Sequence, residues 1–202
     1  MQRNAIKQVD RIEFKCLARR IRIQRTFRVQ RRVSAVEPLA AIGRADQQQL
    51  AALLVDAITQ GASVGWVNPA SPDNIEAYWQ TIASDLSQGA RAVLVVREGG
   101  RIIASLQLEY AGKPNSVHRA EVQKVLVHSS QRRRGLGRLL MQRAEEIARS
   151  KGRSLLVLDT ESASAGQRLY ESMGYVAAGE IPNFAIGTNG GWTPTTYMYK
   201  LL

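Results

Sequence analysis

The chain has 202 residues, of which 45% are hydrophobic and 22% are charged. This length suits one domain with or without a tail, and the composition is typical of an ordinary soluble globular protein. No apolar run approaches the ~20 residues that a membrane helix needs. The single cysteine, Cys16, excludes an intramolecular disulfide, and His and Cys are too few for a common structural zinc site. We therefore expect a cytoplasmic protein with no metal and no membrane contact.

The net charge of +11 is concentrated at the N-terminus. Residues 1–33 contain eleven Lys or Arg and only two acidic residues, so they supply nine of the eleven net positive charges. We therefore expect no nucleic-acid partner for the body of the protein. Residues 1–27 fit three hypotheses: a disordered extension, a basic arm that touches nucleic acid or another anionic surface, and an Arg-rich organelle transit peptide. The domain prediction adopts the first, with a basic, disordered extension over 1–27 and one domain over 28–202.

Helix and strand patterns follow one another from residue 28 onward. A first strand is predicted at 28–36, and a helix at 45–60 has Leu and Ile residues at helical spacing. A second helix is predicted from Ser-Pro-Asp to the glycine at 71–89, because Pro is tolerated in the first turn. Strands at 92–97 and 101–110 flank Glu-Gly-Gly, which is a hairpin signal.

A strand–helix–strand unit follows. A strand at 120–128 leads into a helix at 135–151, and a continuous apolar strand at 154–159 is typical of burial on both faces. Such a unit implies a right-handed parallel crossover. Within its helix, the spacing predicts Leu139 on the buried face and Glu145 on the exposed face.

Three shorter elements complete the pattern, a helix at 165–173 and strands at 175–180 and 195–202. No internal repeat or low-complexity linker interrupts it. The predicted fold class is α/β: a mixed, mostly antiparallel central sheet with a parallel strand–helix–strand crossover and with helices on both faces.

A loop rich in Arg and Gly joins the strand and the helix of the crossover, with the sequence Ser-Ser-Gln-Arg-Arg-Arg-Gly-Leu-Gly-Arg at residues 129–138. A helix that begins near Gly135 has unpaired N–H groups and a partial positive charge at that end. The two glycines would let a bulky anion approach the backbone, which predicts a pyrophosphate site. The Walker and dinucleotide motifs do not match. Taken alone, the pattern fits a solvated face or a nuclear-type basic patch equally well.

With its flanks, this loop resembles the signature of the GNAT N-acetyltransferase superfamily, a strand followed by Gln/Arg-x-x-Gly-x-Gly/Ala and a helix. Arg132, Gly135 and Gly137 fill the fixed positions. Further along, Leu-Tyr-Glu-Ser-Met-Gly-Tyr at 169–175 resembles the Leu-Tyr-x-x-x-Gly-Phe/Tyr segment of that family. The resemblance covers about 33–202 and implies a GNAT-like fold, N-acetyltransferase activity and acetyl-CoA as co-substrate.

Shorter stretches are similar to the tabtoxin-resistance acetyltransferases of plant-pathogenic bacteria. They are Gly-Ala-Ser-Val-Gly at 61–65, Lys-Pro-Asn at 113–115, Arg-Ala-Glu-Val-Gln-Lys at 119–124, Leu-Asp-Thr-Glu at 158–161 and a Pro-Thr-x-x-Tyr ending at Tyr197. The resemblance implies a small-molecule amine as acceptor, such as a β-lactam or amino-acid-like toxin, and a role in toxin or antibiotic resistance. A protein or peptide N-acetyltransferase and a non-catalytic acetyl-CoA binder remain alternatives.

The resemblance also implies where the cofactor binds. The backbone of Val125, Leu126 and Val127 would pair with the pantetheine arm, and the loop that follows would hold the pyrophosphate. The loop residues concerned are Arg132, Arg133, Arg134, Gly135, Leu136, Gly137 and Arg138. His128, between strand and loop, is expected to be structural.

Amine acetylation needs a base, because an alkylamine with a pKa near ~10.4 must lose a proton before it attacks, and it needs a donor for the departing thiolate. Tyr170 matches the tyrosine that the family places near the sulfur. For the base we choose Glu121 and Asp159. Strand alternation predicts Glu121 on the same face as Val125 and Val127. Asp159 ends an apolar strand, where α/β sheets tend to face ligands. Either carboxylate could instead anchor the substrate ammonium.

Overall fold

The computed structural model describes residues 35–188 and 190–202. The predicted extension over 1–27, its boundary with the domain and most of the predicted strand at 28–36 lie outside the described residues. The structure begins with a two-residue strand, β1 (Glu37–Pro38), which follows directly on the end of that predicted strand.

The helices occur where the sequence predicts them, with ends that differ by one or two residues. They are α1 (Arg44–Thr59), α2 (Pro72–Ser87), α3 (Leu136–Ser150) and α4 (Ala165–Glu171). Pro72 occupies the first turn of α2, and Gly135 precedes α3 in the left-handed conformation. Within residues 35–188 and 190–202, no helix has the length and the apolarity needed to cross a membrane.

The remaining strands form one sheet with β1. They are β2 (Arg91–Glu98), β3 (Arg101–Tyr110), β4 (Arg119–Val127), β5 (Leu155–Glu161), β6 (Val176–Ile186) and β7 (Trp192–Leu201). The order is β1-β2-β3-β4-β5-β7-β6, and β4 with β5 is the parallel pair in this otherwise antiparallel sheet. The predicted fold class is confirmed. The last two strands extend further than predicted, because irregular register between Ile181 and Ala185 lets β6 continue past Pro182.

The helices lie on both faces of this sheet, and each face has its own apolar core. Adjacent residues of β2 show the division most clearly. Val93 and Val95 pack with the leucines of α1 and with Trp79 of α2, whereas Leu94 and Val96 pack with α3. Successive strand residues point to opposite faces, so a strand covered on both faces reads as a continuous apolar run.

Two residues of α3 differ from the helical-spacing prediction. Leu139 is 40% exposed, whereas Glu145 is buried with 7% of its surface exposed. The reason is a partner from the far end of the chain, since Lys200 on β7 donates to both carboxylate oxygens of Glu145 at 2.8 Å. A buried carboxylate is tolerated when a cation and hydrogen bonds compensate its lost hydration. The spacing of apolar residues within one helix cannot reveal a partner on a distant strand.

We predict that Leu140→Ala lowers the free energy of unfolding by about 2–5 kcal/mol, because Leu140 is fully buried between α3 and the sheet and its truncation leaves a cavity. Leu139→Ala is the matched control on the same helix, and it should change stability by about 0.5 kcal/mol or less. Urea denaturation followed by circular dichroism measures both. Equal losses in the two variants would contradict the placement of α3.

Candidate active site

A cleft of about 1140 Å³ opens where β4 and β5 separate. The two strands pair at only three positions, from Arg119 with Leu155 to Glu121 with Val157. Beyond these, no ladder pairing joins them in the part of the chain that the structure describes. The cleft is lined by both diverging strands, by the loop before α3, by α4 and by the segment after α1. The strand and the loop to which the sequence assigned the cofactor therefore face one cavity.

A β-bulge at Lys124 changes which side chains of β4 share a face. Lys124 has a positive φ of 49°, and at this point β4 advances by three residues while β3 advances by two. A bulge of this kind reverses the alternation of side chains along the strand. Val125 and Val127 pack against the core that contains α3. Glu121 lies on the opposite face, so its predicted common face with these valines is wrong.

The start of the loop is fixed from α1. Asp56 accepts hydrogen bonds from the N–H of Ser129 at 2.8 Å and from its hydroxyl at 2.7 Å. The Nδ1 of His128 accepts from the N–H of Ser130 at 3.3 Å, which caps the short 3₁₀ turn Ser129–Gln131. His128 thus has the structural contact that the sequence led us to expect.

The four arginines of the loop divide into two groups. Arg132, Arg133 and Arg138 line the cleft. Arg134 does not, because its guanidinium donates to Gln131 and, at 3.0 Å, to Glu98 at the end of β2. Its place among the cofactor-binding residues, where the backbone N–H would serve, stays a prediction. Arg134 instead ties the loop to the β2–β3 hairpin.

The two loop glycines are required for different reasons. Gly135 has a φ of 78°, which favours glycine, and a Cβ there would meet no atom within 4 Å. A Cβ on Gly137 would instead lie 3.0 Å from Cδ2 of Leu169. Gly137 therefore allows α3 and α4 to pack closely, whereas the sequence suggested that both glycines admit the anion.

Tyr170 lies on α4 at the wall of this cleft, with 8% of its surface exposed. Burial raises the pKa of its phenol well above the usual range, and the negative charge of Asp159 raises it further. The hydroxyl therefore stays protonated at neutral pH and can act as a hydrogen-bond donor.

The two predicted carboxylates line the same cleft. Glu121 accepts a hydrogen bond at 2.8 Å from Gln123, whose side chain also accepts one at 2.8 Å from Arg91. Asp159 is exposed and does not end its strand, since β5 continues to Glu161. The structure therefore brings Glu121, Asp159 and Tyr170 to one cavity.

Sequence reasoning missed Lys124 as a cleft residue. Its Nζ lies 5.6 Å from the ring centroid of Trp66 and 6.0 Å from that of Tyr78. Burial lowers its pKa, which the charges of Asp159 and Glu121 partly oppose. A bulge has no reliable sequence signal, so the sequence predicted a regular alternating strand at Lys124. Within residues 35–188 and 190–202, no group of three or more His, Cys, Asp or Glu side chains could hold a metal ion.

Comparisons with known proteins agree with this geometry. The chain is 29% identical over 161 residues to an N-acetyltransferase encoded in the hisH–hisA intergenic region of Azospirillum brasilense, covering 78% of this chain and 94% of the relative. It is 36% identical over 76 residues to the L-amino acid N-acyltransferase MnaT of Escherichia coli K12, covering 37% and 43% of the two chains.

Solved structures show the same fold. The acetyltransferase yncA of Salmonella typhimurium, solved with its cofactor acetyl-CoA, superposes with a TM-score of 0.68 at 23% identity, covering 84% of this chain and 94% of that one. A ribosomal-protein-alanine N-acetyltransferase from Brucella melitensis gives a TM-score of 0.70 at 23% identity, covering 84% and 100%. A sequence model of the acetyltransferase (GNAT) family matches residues 47–175, more than half of the chain, and the protein therefore belongs to the GNAT family of N-acetyltransferases.

Proposed function

We propose that this acetyl-CoA-dependent enzyme acetylates the primary amine of a small molecule, with Glu121 and Asp159 receiving the amine and Tyr170 assisting the departing thiolate. The observation that carries the proposal is the order of charges along one cleft. A cationic loop lies at one end and two carboxylates at the other, and a buried phenol lies in the wall of the same cavity. This order matches a polyanionic acyl donor that meets a cationic acceptor.

The cofactor end has the chemistry of a pyrophosphate site. The first turn of α3 follows Gly135, and no side chain caps it. Its N–H groups and the helix dipole favour an anion there, and Arg132, Arg133 and Arg138 add positive charge around it. The edge of β4 at Val125, Leu126 and Val127 is not paired with β5, so its backbone is available to the pantetheine amide groups.

The acceptor end has the chemistry of an amine site. A carboxylate attracts the incoming ammonium and can then take its proton directly or through a water. The neutral nitrogen attacks the thioester carbonyl and the C–N bond forms. The nitrogen gives up its second proton to water, and the C–S bond breaks. The thiolate that leaves needs a donor, and the phenol of Tyr170, which burial keeps protonated, can provide one. Alignment of the two substrates in one cavity supplies much of the remaining acceleration.

The walls around these carboxylates limit the size of the acceptor. Residues 60–65 after α1 line one side of the cleft, and Phe184 and Ala185 of the β6–β7 hairpin line it as well. Such walls suit a compact ligand better than an extended chain. The name of the relative MnaT points to amino acids, while the similarity to tabtoxin-resistance enzymes points to an amino-acid-like β-lactam toxin.

The experiment is a panel of acceptors assayed for acetyl-CoA-dependent release of free CoA. The panel contains L-amino acids, amine-bearing β-lactams, simple alkylamines and peptides with a free N-terminus or a lysine. We expect turnover with one of the small amines. Turnover confined to peptides would replace the proposal with peptide acetylation, and CoA release from none of them would overturn it.

We predict that acetyl-CoA raises the melting temperature, because a ligand that binds only the folded state stabilises it by mass action, by about 2.7 kcal/mol at a concentration of 100 Kd. Gly135→Val should lose this shift, since its side chain would stand where the anion approaches. Gly152→Val is the matched control, because Gly152 has a φ of 69° at the other end of α3, with open space around it. Differential scanning fluorimetry measures both. An equal rise in melting temperature with acetyl-CoA in both variants would show that the pyrophosphate binds elsewhere.

We predict that Tyr170→Phe lowers kcat by about 10²–10⁴-fold while the affinity for acetyl-CoA barely changes, because only the hydroxyl is removed. Tyr175→Phe is the matched control. Tyr175 is buried with its ring centroid 6.0 Å from that of Tyr170, but it does not line the cleft. Single-turnover kinetics and calorimetric titration separate chemistry from binding. Normal single-turnover rates in Tyr170→Phe would remove the phenol from the mechanism.

We predict that Asp159→Asn or Glu121→Gln slows the reaction at neutral pH and regains rate as the pH rises, because free neutral amine then replaces the lost base. A residue that only anchors the ammonium would instead raise KM without recovery at high pH. Glu76→Gln is the control, since Glu76 is an exposed carboxylate on α2 that lies outside the cleft. Profiles of kcat against pH that are wild-type in both carboxylate variants would leave a reaction driven by alignment alone.

A further inference from the structure

Lys124 presents an amine inside the acetyl-transfer cleft that the proposed mechanism does not use. Its side chain lies against Trp66 and Tyr78, and the Nζ would be 3.8 Å from a Cβ on Gly65. Among the described residues its ammonium forms no hydrogen bond and no ion pair. It is surrounded instead by the two aromatic rings and by charged groups at longer range. The bulge at its own position is what directs this side chain away from a regular strand pattern.

These surroundings have the chemistry of an ammonium receptor. Two aromatic rings lie at cation–π distance from the Nζ. The negative charges that act on the Nζ are Asp159 and Glu121, and Arg91 opposes them. These are the same two carboxylates to which the proposed function assigns the amine of the acceptor. The ammonium of Lys124 therefore lies within the field that would attract a substrate.

We propose that Lys124 is a self-acetylation site, at which the enzyme transfers the acetyl group of its own acetyl-CoA to the Nζ when no acceptor occupies the cleft. The proposal rests on the proposed function, because it uses the same thioester, the same cavity and the same carboxylates. It adds a covalent product on the protein itself, which neither the fold nor the acceptor chemistry requires.

The reaction balances without another reagent. The ammonium of Lys124 gives one proton to Asp159, to Glu121 or to a water between them. The neutral Nζ attacks the thioester carbonyl and a C–N bond forms. The nitrogen gives up its second proton as the C–S bond breaks, and that proton ends on the CoA thiolate. Because burial lowers the pKa of Lys124, more of it is neutral at a given pH than of an exposed lysine. A fixed position in the cleft further favours it over lysines that must collide with free acetyl-CoA.

The product would also change the acceptor end of the cleft. Acetylation removes the positive charge on which Asp159 and Glu121 act and places a neutral amide and a methyl group beside Trp66 and Tyr78. An acceptor would then meet two carboxylates without their neighbouring cation and a smaller space. We therefore expect acetylated enzyme to turn over its best amine more slowly than unmodified enzyme.

The test incubates the purified full chain with acetyl-CoA alone and follows the addition of acetyl groups by intact mass, with peptide mapping to find the lysine. We expect one acetyl group, on Lys124, to form at least ten times faster than any on Lys113 or Lys151, although these two are exposed. Lys124→Arg keeps the positive charge and should abolish this rapid addition, whereas Lys113→Arg, the matched control, should not. The best amine from the acceptor panel should slow it.

Each outcome decides between the two proposals. Acetylation of Lys113 and Lys151 as fast as of Lys124 would show simple chemical reaction with exposed lysines and overturn the inference. So would an unmodified Lys124 in enzyme that binds acetyl-CoA by calorimetry and turns over an amine, and the proposed function would then stand. Enzyme that neither binds acetyl-CoA nor releases CoA would overturn both.

Discussion

The separation of β4 from β5 is the constraint on which the rest of the site depends. Each strand is held on its far side, β4 by β3 and β5 by all seven of its pairs with β7. The gap can therefore stay open without loss of sheet structure, and the backbone groups that face it need other partners. The amide groups of the pantetheine arm would provide such partners in our proposal. The loop and α3 follow directly from the open end of β4, so the proposed anion site lies next to the gap.

A second network holds the acceptor end in place. The buried guanidinium of Arg91 donates to Glu109 at 2.7 Å and to Gln123 at 2.8 Å, and it lies 3.4 Å from Asp85. Gln123 in turn donates to Glu121 at 2.8 Å. Removing one of these partners would leave the buried guanidinium of Arg91 less fully compensated. The orientation of the carboxylate at the cleft thus depends on an arginine at the start of a different strand.

Much of the fold was readable from the sequence because its signals are local. The apolar spacing of a helix, the apolar run of a strand and the Glu-Gly-Gly turn can each be recognised within a short segment. They predicted the ends of α1 to α4 and of most strands to within one or two residues. The Arg- and Gly-rich loop between β4 and α3 was readable for the same reason. What the sequence could not provide depends on partners far along the chain. Arg134 is directed away from the cleft by Glu98, and Glu145 is buried because Lys200 reaches it. The bulge at Lys124 arises from pairing with β3, and no single segment encodes it.

The contact between Gly137 and Leu169 connects the helix of the proposed anion site with the helix that carries Tyr170. Gly137 lies in the first turn of the helix that receives the pyrophosphate in our proposal, and Leu169 precedes Tyr170 on α4. A Cβ at Gly137 would lie 3.0 Å from Cδ2 of Leu169, so a larger residue there would have to displace the leucine side chain next to Tyr170. In our proposal, binding of the donor and departure of the thiolate are thus linked through one helix contact. The walls assigned to the acceptor, at 60–65 and at Phe184, lie on other elements, so selection for a different amine can change them and leave this contact as it is.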